Sequence, residues 1–285
     1  MVLPHGRPSF TIDRSERDMV RQITISPSQM ISMECRLAWR WQYSEGYRTK
    51  EPNTNLAFGT AVHAGLEHHY NGRDPVPAFN TTWLHEMRHS SNDEEKDVKL
   101  KMGRLMLEKY VDTYGKVEDE PFTVIDTEEM ISRPIPHPQT LEPSEYNLVC
   151  RLDGRVQDKT TGEIMSLEHK TYTSLNEKAM LRDMQYTAQI WLSGAGSVLY
   201  NGLRKTKRPA FHRATIRRSR REIDIMLHRA YYLAKEFNTK DLEIFPQPSP
   251  MRCGMCEYQE PCLSYMTSGD HQSKLQSGYN KRGEK

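Results

Sequence analysis

Leu152-Asp153-Gly154-Arg155-Val156, then a polar turn, then Ile164-Met165-Ser166-Leu167-Glu168-His169-Lys170-Thr171, is the stretch on which the reading of this chain turns. Apolar residues alternate through both runs, and Asp158-Lys159-Thr160-Thr161-Gly162 lies between them, so the stretch predicts a β-hairpin. With 159–162 as the loop, Asp158 faces Glu163, and unbroken pairing brings Asp153 opposite Glu168. Side chains two apart on a strand share a face, which adds Lys170 to the same side. Two carboxylates and an ammonium then converge. Carboxylates so close repel, and they are best tolerated around a divalent cation. Taken alone, an Asp…Glu-x-Lys group is more often a surface ion-pair cluster.

The rest of the chain decides between these readings. Its 285 residues suffice for one elaborated domain or two small ones. The 40 basic and 38 acidic residues nearly cancel, so any preference for a charged partner must come from local clustering. No apolar run approaches the roughly 20 residues of a membrane span, and residues 1–18 lack the apolar stretch of a signal peptide. The expected setting is cytoplasmic and reducing. Five cysteines, an odd number, then argue against a disulfide framework and for a metal or cofactor site.

Residues 1–22 are polar, carry Pro4 and Pro8, and read as an irregular arm. Ser26-Pro27-Ser28-Gln29 opens a helix with a capping box, expected to run to about Tyr43 and to contain Cys35. A second helix begins near Phe58 and carries Gly59 and His63; His68 and His69 are expected at the surface. Two helices are expected over 80–116. A meander of three strands follows, at about 122–131, 146–157 and 163–170, with Pro134, Pro136, Pro138 and Pro143 expected to exclude regular structure between the first two. A helix is predicted over 181–199, with Gln185 and Gln189 on one face. Nine Lys and Arg and no acid occupy 204–221, a cluster suited to phosphates, followed by a helix over 220–237. The polar segment from Ser268 to Lys285 reads as disordered.

Cys253, Cys256 and Cys262 form Cys-x2-Cys-x5-Cys, three thiolates from one tight loop. A tetrahedral centre needs a fourth, and Cys35 and Cys150 are both available. The spacing suits zinc and an iron–sulfur cluster equally.

These features, in this order, resemble the RecB-like branch of the PD-(D/E)xK nucleases. Within that branch they are most similar to the group with a four-cysteine iron–sulfur staple: the AddB nuclease domain, the four-cysteine CRISPR-associated exonucleases and related phage exonucleases. The resemblance covers residues 24–265. It rests on Cys35 ahead of the core, Gly59-x-x-x-His63, Asp153, Glu168-x-Lys170, and Cys253, Cys256 and Cys262 behind it; Ser249-Pro250 and Tyr258 also match. Two positions depart from the pattern: Leu152 stands where proline is common, and Gln189 stands where the family's Gln-x-x-x-Tyr helix has tyrosine.

The resemblance implies an α/β restriction-endonuclease-like core, a mixed central sheet flanked by helices, with residues 23–266 as one nuclease domain carrying a helical insertion at about 64–120. It implies Mg²⁺ or Mn²⁺ held by His63, Asp153, Glu168 and the His169 carbonyl, with Asp153, Glu168 and Lys170 catalytic. Glu128 or Glu129 would match an acidic position on the preceding strand. It also implies a [4Fe-4S] cluster on Cys35, Cys253, Cys256 and Cys262, with zinc as the alternative. The implied activity is exonucleolytic cleavage of single-stranded DNA or DNA ends in recombination, repair or phage DNA metabolism. Gln185, Arg204, Lys205, Lys207, Arg208, Arg217 and Arg218 are the expected DNA contacts. Two rivals are a catalytically silent DNA-binding scaffold with this fold and a zinc-stapled DNA-binding regulator.

Overall fold

The computed structural model describes residues 23–282, so the expected N-terminal arm, residues 1–22, lies outside the described residues. In chain order the elements are β1 (Ile23–Ile25), α1 (Pro27–Ser32), α2 (Arg36–Trp39), β2 (Tyr47–Thr49), α3 (Thr54–Tyr70), α4 (Pro75–Glu86), α5 (Asp93–Tyr114), β3 (Phe122–Pro136), β4 (Pro143–Asp158), β5 (Ile164–Tyr172), α6 (Glu177–Met180), α7 (Met184–Ser193), β6 (Ser197–Arg204), β7 (Ala210–Ile216), α8 (Arg220–Phe237), α9 (Pro250–Cys253), α10 (Gln259–Met266), α11 (His271–Gly278) and β8 (Tyr279–Lys281). None of these helices is long and apolar enough to cross a membrane.

β4 is the spine of a six-stranded mixed sheet. One of its edges pairs with antiparallel β3 along nearly its whole length. The other is shared: parallel β1 takes Tyr146–Leu148, and antiparallel β5 takes Gly154–Gln157. β6 lies parallel to β5, and β7 closes the sheet antiparallel to β6. Helices cover both faces. Phe58, Val62 and Leu66 of α3 pack with Phe79 and Trp83 of α4, Met106 and Tyr110 of α5, and Val156 and Leu167 of the sheet. On another side α7 and α8 bury Ala188, Leu192, Met226 and Ala230 against Ile25, Leu148 and Cys150.

Several boundaries differ from the sequence expectation, each for a local reason. The helix expected over 26–43 is interrupted. α1 stops at Ser32, Cys35 is extended (φ −133°, ψ 103°), and α2 continues as a π-turn over Arg40–Ser44. The break frees the Leu37 N–H to donate to the Phe245 carbonyl (3.3 Å), which lays the C-terminal loop beside the first helices. Pro134, Pro136 and Pro143 lie within strands. β3 pairs only with β4, so it is an edge strand, where a missing N–H can face away from the ladder. The helix expected to reach 199 ends at Ser193 because Gly194 takes a left-handed cap (φ 68°), and residues 197–199 belong to β6 instead. α3 begins at Thr54, earlier than expected, because Asn53 caps it by accepting from the N–H groups of Asn55 and Leu56.

The C-terminal segment expected to be disordered is structured through Arg282. Asp270 caps α11, and β8 pairs antiparallel with β2. Few apolar residues hold it, but they are well placed: Leu275 is fully buried, and Tyr279 stacks on Tyr258 with ring centroids 5.4 Å apart. Replacing Tyr279 by Ala should lower unfolding stability by about 2–4 kcal/mol in urea titration, as removal of a buried aromatic does. Gln272→Ala, on the exposed side of α11, should change it by less than about 0.5 kcal/mol.

Candidate active site

Asp158 of β4 anchors the hairpin turn. Its Oδ1 accepts from the N–H groups of Thr160 and Thr161 (2.9 and 2.6 Å), and its own N–H donates to the Glu163 carbonyl (2.9 Å). This fixes the register: Gln157 opposes Ile164, and Gly154 opposes Leu167. The ladder ends there, one pair before Asp153 and Glu168 would meet. The strands part, and the His169 N–H donates instead to Asp153 Oδ2 (2.7 Å). A side-chain carboxylate thus takes the place of a ladder carbonyl, at the mouth of the opening between β4 and β5.

β3 approaches this point from the other edge. Gly154 is needed for the approach: a Cβ there would lie 2.8 Å from the Asp126 carbonyl oxygen. The β3–β4 register shifts at Val124/Asp126, and Glu128 then takes a left-handed backbone conformation (φ 53°). For a residue with a Cβ that conformation costs about 1–2 kcal/mol. It aims the Glu128 carboxylate at Asp153, and His63 arrives from α3. One ligand atom from each of His63, Glu128 and Asp153 lies within 4.8 Å of the others. His63 Nδ1 is 3.1 Å from Asp153 Oδ1.

Glu168 sits deeper, 1% exposed. Gln185 Nε2 donates to its Oε1 (2.8 Å), and Gln189 Nε2 donates to its Oε2. The two glutamines are four residues apart on α7, so one helix face reaches both oxygens. Lys170 Nζ lies 2.6 Å from Glu168 Oε1 and donates to Gln185 Oε1 (2.9 Å). The Gln185 amide therefore bridges carboxylate and ammonium inside the site, whereas the sequence reading placed it on the DNA backbone. Gln189, the departure from the family pattern, supplies the second bond to Glu168.

The charges are balanced only in part. Burial works against a charged His63, but the charge and hydrogen bond of Asp153 outweigh it and raise His63 to about 9. Burial would raise Asp153, yet His63 and the His169 N–H bring it down to about 2. Glu168 is raised by burial and by the charge of Asp153 against the pull of Lys170. Burial disfavours the Lys170 ammonium, but Glu168 beside it raises its pKa, so it stays charged. Burial raises Glu128, and the Asp153 charge adds to this. Three carboxylates gathered here, two of them with raised pKa values, are a donor set suited to a hard divalent cation, and a neutral His63 fits beside them.

The structure brings His63, Asp153, Glu168 and Lys170 together, as the sequence reading expected. It differs in the converging triad, which contains Glu128 rather than Glu168 among the described residues. Glu168 is set back by its glutamine bonds. The sequence offered Glu128 and Glu129 equally, and only the left-handed turn at Glu128 separates them. His69, expected at the surface, is 4% exposed against Tyr70 and Tyr110.

None of the five cysteines forms a disulfide. Cys35, Cys256 and Cys262 pack around Leu37, Trp41, Tyr47 and Tyr258, and burial together with the nearby thiols of Cys35, Cys256 and Cys253 raises that of Cys262. Backbone N–H groups of Gln247, Ser249 and Tyr258 donate to the sulfurs of Cys35, Cys253 and Cys256 at 3.5, 3.3 and 3.4 Å. Cys150 lies in a different core with Leu148 and Ala188, so Cys35 is the one that joins the C-terminal three.

The basic run is divided. Arg217 makes a bidentate pair with Glu163 (2.7 and 2.6 Å), and the Arg218 side chain is 3% exposed and bonded to Thr187 and the Asp183 carbonyl. Both therefore hold the protein together, in contrast to their expected place on DNA. Arg204, Lys205, Lys207 and Arg208 form no ion pair among the described residues.

A divalent cation must displace the proton that Asp153 holds on His63. Apparent Mn²⁺ affinity should therefore rise with pH between about 6.5 and 9, with proton release on binding. In the metal-free protein the sign is opposite for stability. The raised His63 contributes fully below about 6.5, and its contribution is lost as pH rises through about 9. Calorimetric titration in buffers of different ionisation enthalpy, with melting curves in EDTA, measures both effects.

Residues 24–263 match the family model of the PD-(D/E)XK nuclease superfamily. Among solved structures, a protein from Eubacterium rectale named as a candidate exonuclease aligns over 87% of this chain and 92% of its own, at 11% identity and a TM-score of 0.49. SSO0001 aligns over 87% of each chain, at 14% identity and a TM-score of 0.39. No curated protein matches by sequence. The match across nearly the whole described chain, over a mixed sheet that brings Asp153, Glu168 and Lys170 to one opening, places this chain in the PD-(D/E)XK nuclease superfamily.

Proposed function

We propose that this protein is a metal-dependent DNA exonuclease acting on single-stranded DNA or DNA ends. The observation that carries the reading is the convergence of His63, Glu128 and Asp153 beside a charged Lys170 held by Glu168 and Gln185. His63, Glu128 and Asp153 would hold Mg²⁺ or Mn²⁺, with Glu168 and the His169 carbonyl on the β5 side as the family resemblance implies. When bound, the cation supplies Lewis acidity and neutralises charge growing on the phosphate. Lys170 contributes a fixed positive charge and N–H donors toward the phosphoryl oxygens or the attacking water. Its raised pKa suits that role better than that of a general base. Gln185 and Gln189 hold Glu168 in place, and the Asp153–His169 bond keeps the two strands apart at the width the site needs.

A silent scaffold would have no use for a buried, strained and electrostatically costly arrangement of this kind. Arg204, Lys205, Lys207 and Arg208 would track the strand electrostatically. The restriction to DNA ends rests on the resemblance carried by the four cysteines.

In this reading Cys35, Cys253, Cys256 and Cys262 hold a [4Fe-4S] cluster that ties the first helices to the C-terminal loop. Backbone N–H groups aimed at three of the sulfurs suit thiolates. A reducing, cytoplasmic setting would keep such thiols available.

Protein purified without oxygen should cleave labelled DNA with Mn²⁺ and not with EDTA, and Lys170→Ala should lower the rate by about 10²-fold or more. Cleavage at the wild-type rate by Lys170→Ala would remove the proposed site. Elemental analysis of the same preparation should find iron and sulfide, lost in Cys256→Ser together with thermal stability; a colourless protein containing zinc would replace the cluster assignment.

A further inference from the structure

Asn55, Gly59 and His63 follow one another at four-residue intervals on α3, so they line one face of the helix. His63 marks the metal site. Gly59 presents no side chain, and a Cβ there would touch only Thr171 Oγ1, at 3.8 Å, so the floor between helix and β5 is open. Asn55 lies about 12 Å further along the axis. There Lys99 of α5 and Lys205 of the β6–β7 loop both donate to Asn55 Oδ1, at 3.0 and 2.9 Å. The two ammonium groups are therefore at most about 6 Å apart and share a neutral acceptor.

This is an unusual resting place for two partly buried lysines. Lys99 has Glu95 at 3.7 Å, and Lys205 has no carboxylate at ion-pair distance among the described residues. Burial and the charge of Lys99 both lower the pKa of Lys205. Lys205 is also tethered: its N–H donates to the Tyr172 carbonyl (2.8 Å), at the end of the strand that carries Lys170. The pair is held at a fixed distance from the cleavage site, with unbalanced charge and open access.

We propose that Lys99, Asn55 and Lys205 form a phosphate-binding subsite for a DNA strand whose scissile phosphate sits at His63, Glu128 and Asp153. An anion between the two ammonium groups relieves their repulsion, and the Asn55 amide can turn its NH₂ toward the same phosphate. The separation from His63 corresponds to about two nucleotides of an extended strand. Lys99 is absent from the basic run of 204–221, and only the packing of α5 against α3 brings it to Lys205. The proposal rests on the nuclease reading for the identity of its ligand.

The test measures binding of fluorescein-labelled oligothymidylates, two and six nucleotides long, by anisotropy in Ca²⁺ over a salt series. Lengthening the strand from two to six should tighten binding to the wild type by at least about tenfold, and that gain should vanish in Lys99→Gln/Lys205→Gln. The slope of log affinity against log salt for the six-mer should fall by about 0.7, for the one phosphate lost from the subsite on a single strand. Lys109→Gln/Lys235→Gln, which removes two exposed lysines elsewhere, should leave gain and slope as in the wild type.

Asn55→Asp puts a carboxylate between the ammonium groups. It should weaken six-mer binding at least about tenfold while raising the melting temperature, so weaker binding there cannot come from unfolding. Wild-type affinity and slope in the double lysine variant would overturn the subsite. If metal-dependent cleavage is present and the double variant binds as wild type, the nuclease reading stands and the subsite falls. If cleavage is absent but the length gain depends on Lys99 and Lys205, the subsite stands and the nuclease reading falls.

Discussion

The hydrogen bond from the His169 N–H to Asp153 Oδ2 is the constraint on which the site depends. A continuing β4–β5 ladder would satisfy this N–H with a backbone carbonyl and hold the strands at pairing distance. A carboxylate in that role opens the strands and places a negative charge at the gap. It also turns the next residues of β5, Glu168 and Lys170, toward a space that α7 can fill with two glutamines. The register that makes this possible is set far from the site, at the Asp158 turn, where one carboxylate accepts three hydrogen bonds from Thr160 and Thr161. A one-residue slip there would move Asp153 and Glu168 to the opposite face of the sheet.

Electrostatics explain why so much structure surrounds so few residues. Glu168 is buried, Asp153 is largely so, and the charges of both act on His63. Without a cation, the protein compensates by protonating His63, by keeping Lys170 charged, and by pointing two amide donors at Glu168. Glu128 adds a third carboxylate at the cost of an unfavourable backbone conformation. Each compensation is weaker than a divalent ion would be. A divalent ion bound as proposed would replace these internal partners.

Much of this was legible in the sequence. The turn formers at 158–162 were enough to give the register as far as Gly154 opposite Leu167; the expected pairing of Asp153 with Glu168 does not form, because the strands part there. The apolar stripe from Ile223 to Ala234 was enough to define α8; the capping box between Ser219 and Glu222 is seen only in the structure. What escaped depended on tertiary context. Glu128 differs from Glu129 only through a left-handed residue that follows a bulge against Gly154. The break at Cys35 is decided by a loop more than two hundred residues away. Prolines in β3 are tolerated because that strand is an edge, which depends on the order of strands rather than on β3 itself. The C-terminal segment has the composition of a disordered tail, yet Leu275 and Tyr279 suffice to dock it once Tyr47 and Tyr258 provide a surface. Arg217 and Arg218 looked like DNA contacts because a sequence does not show that Glu163 and the N-terminus of α7 lie opposite them.

The most direct test of the central claim is anomalous diffraction from crystals soaked in Mn²⁺. A peak is expected about 2.1 Å from a ligand atom of each of His63, Glu128 and Asp153, with the His63–Asp153 hydrogen bond replaced by two bonds to the ion. A well-occupied Mn²⁺ peak elsewhere, or none at this position at saturating Mn²⁺ with His63 still bonded to Asp153, would contradict it.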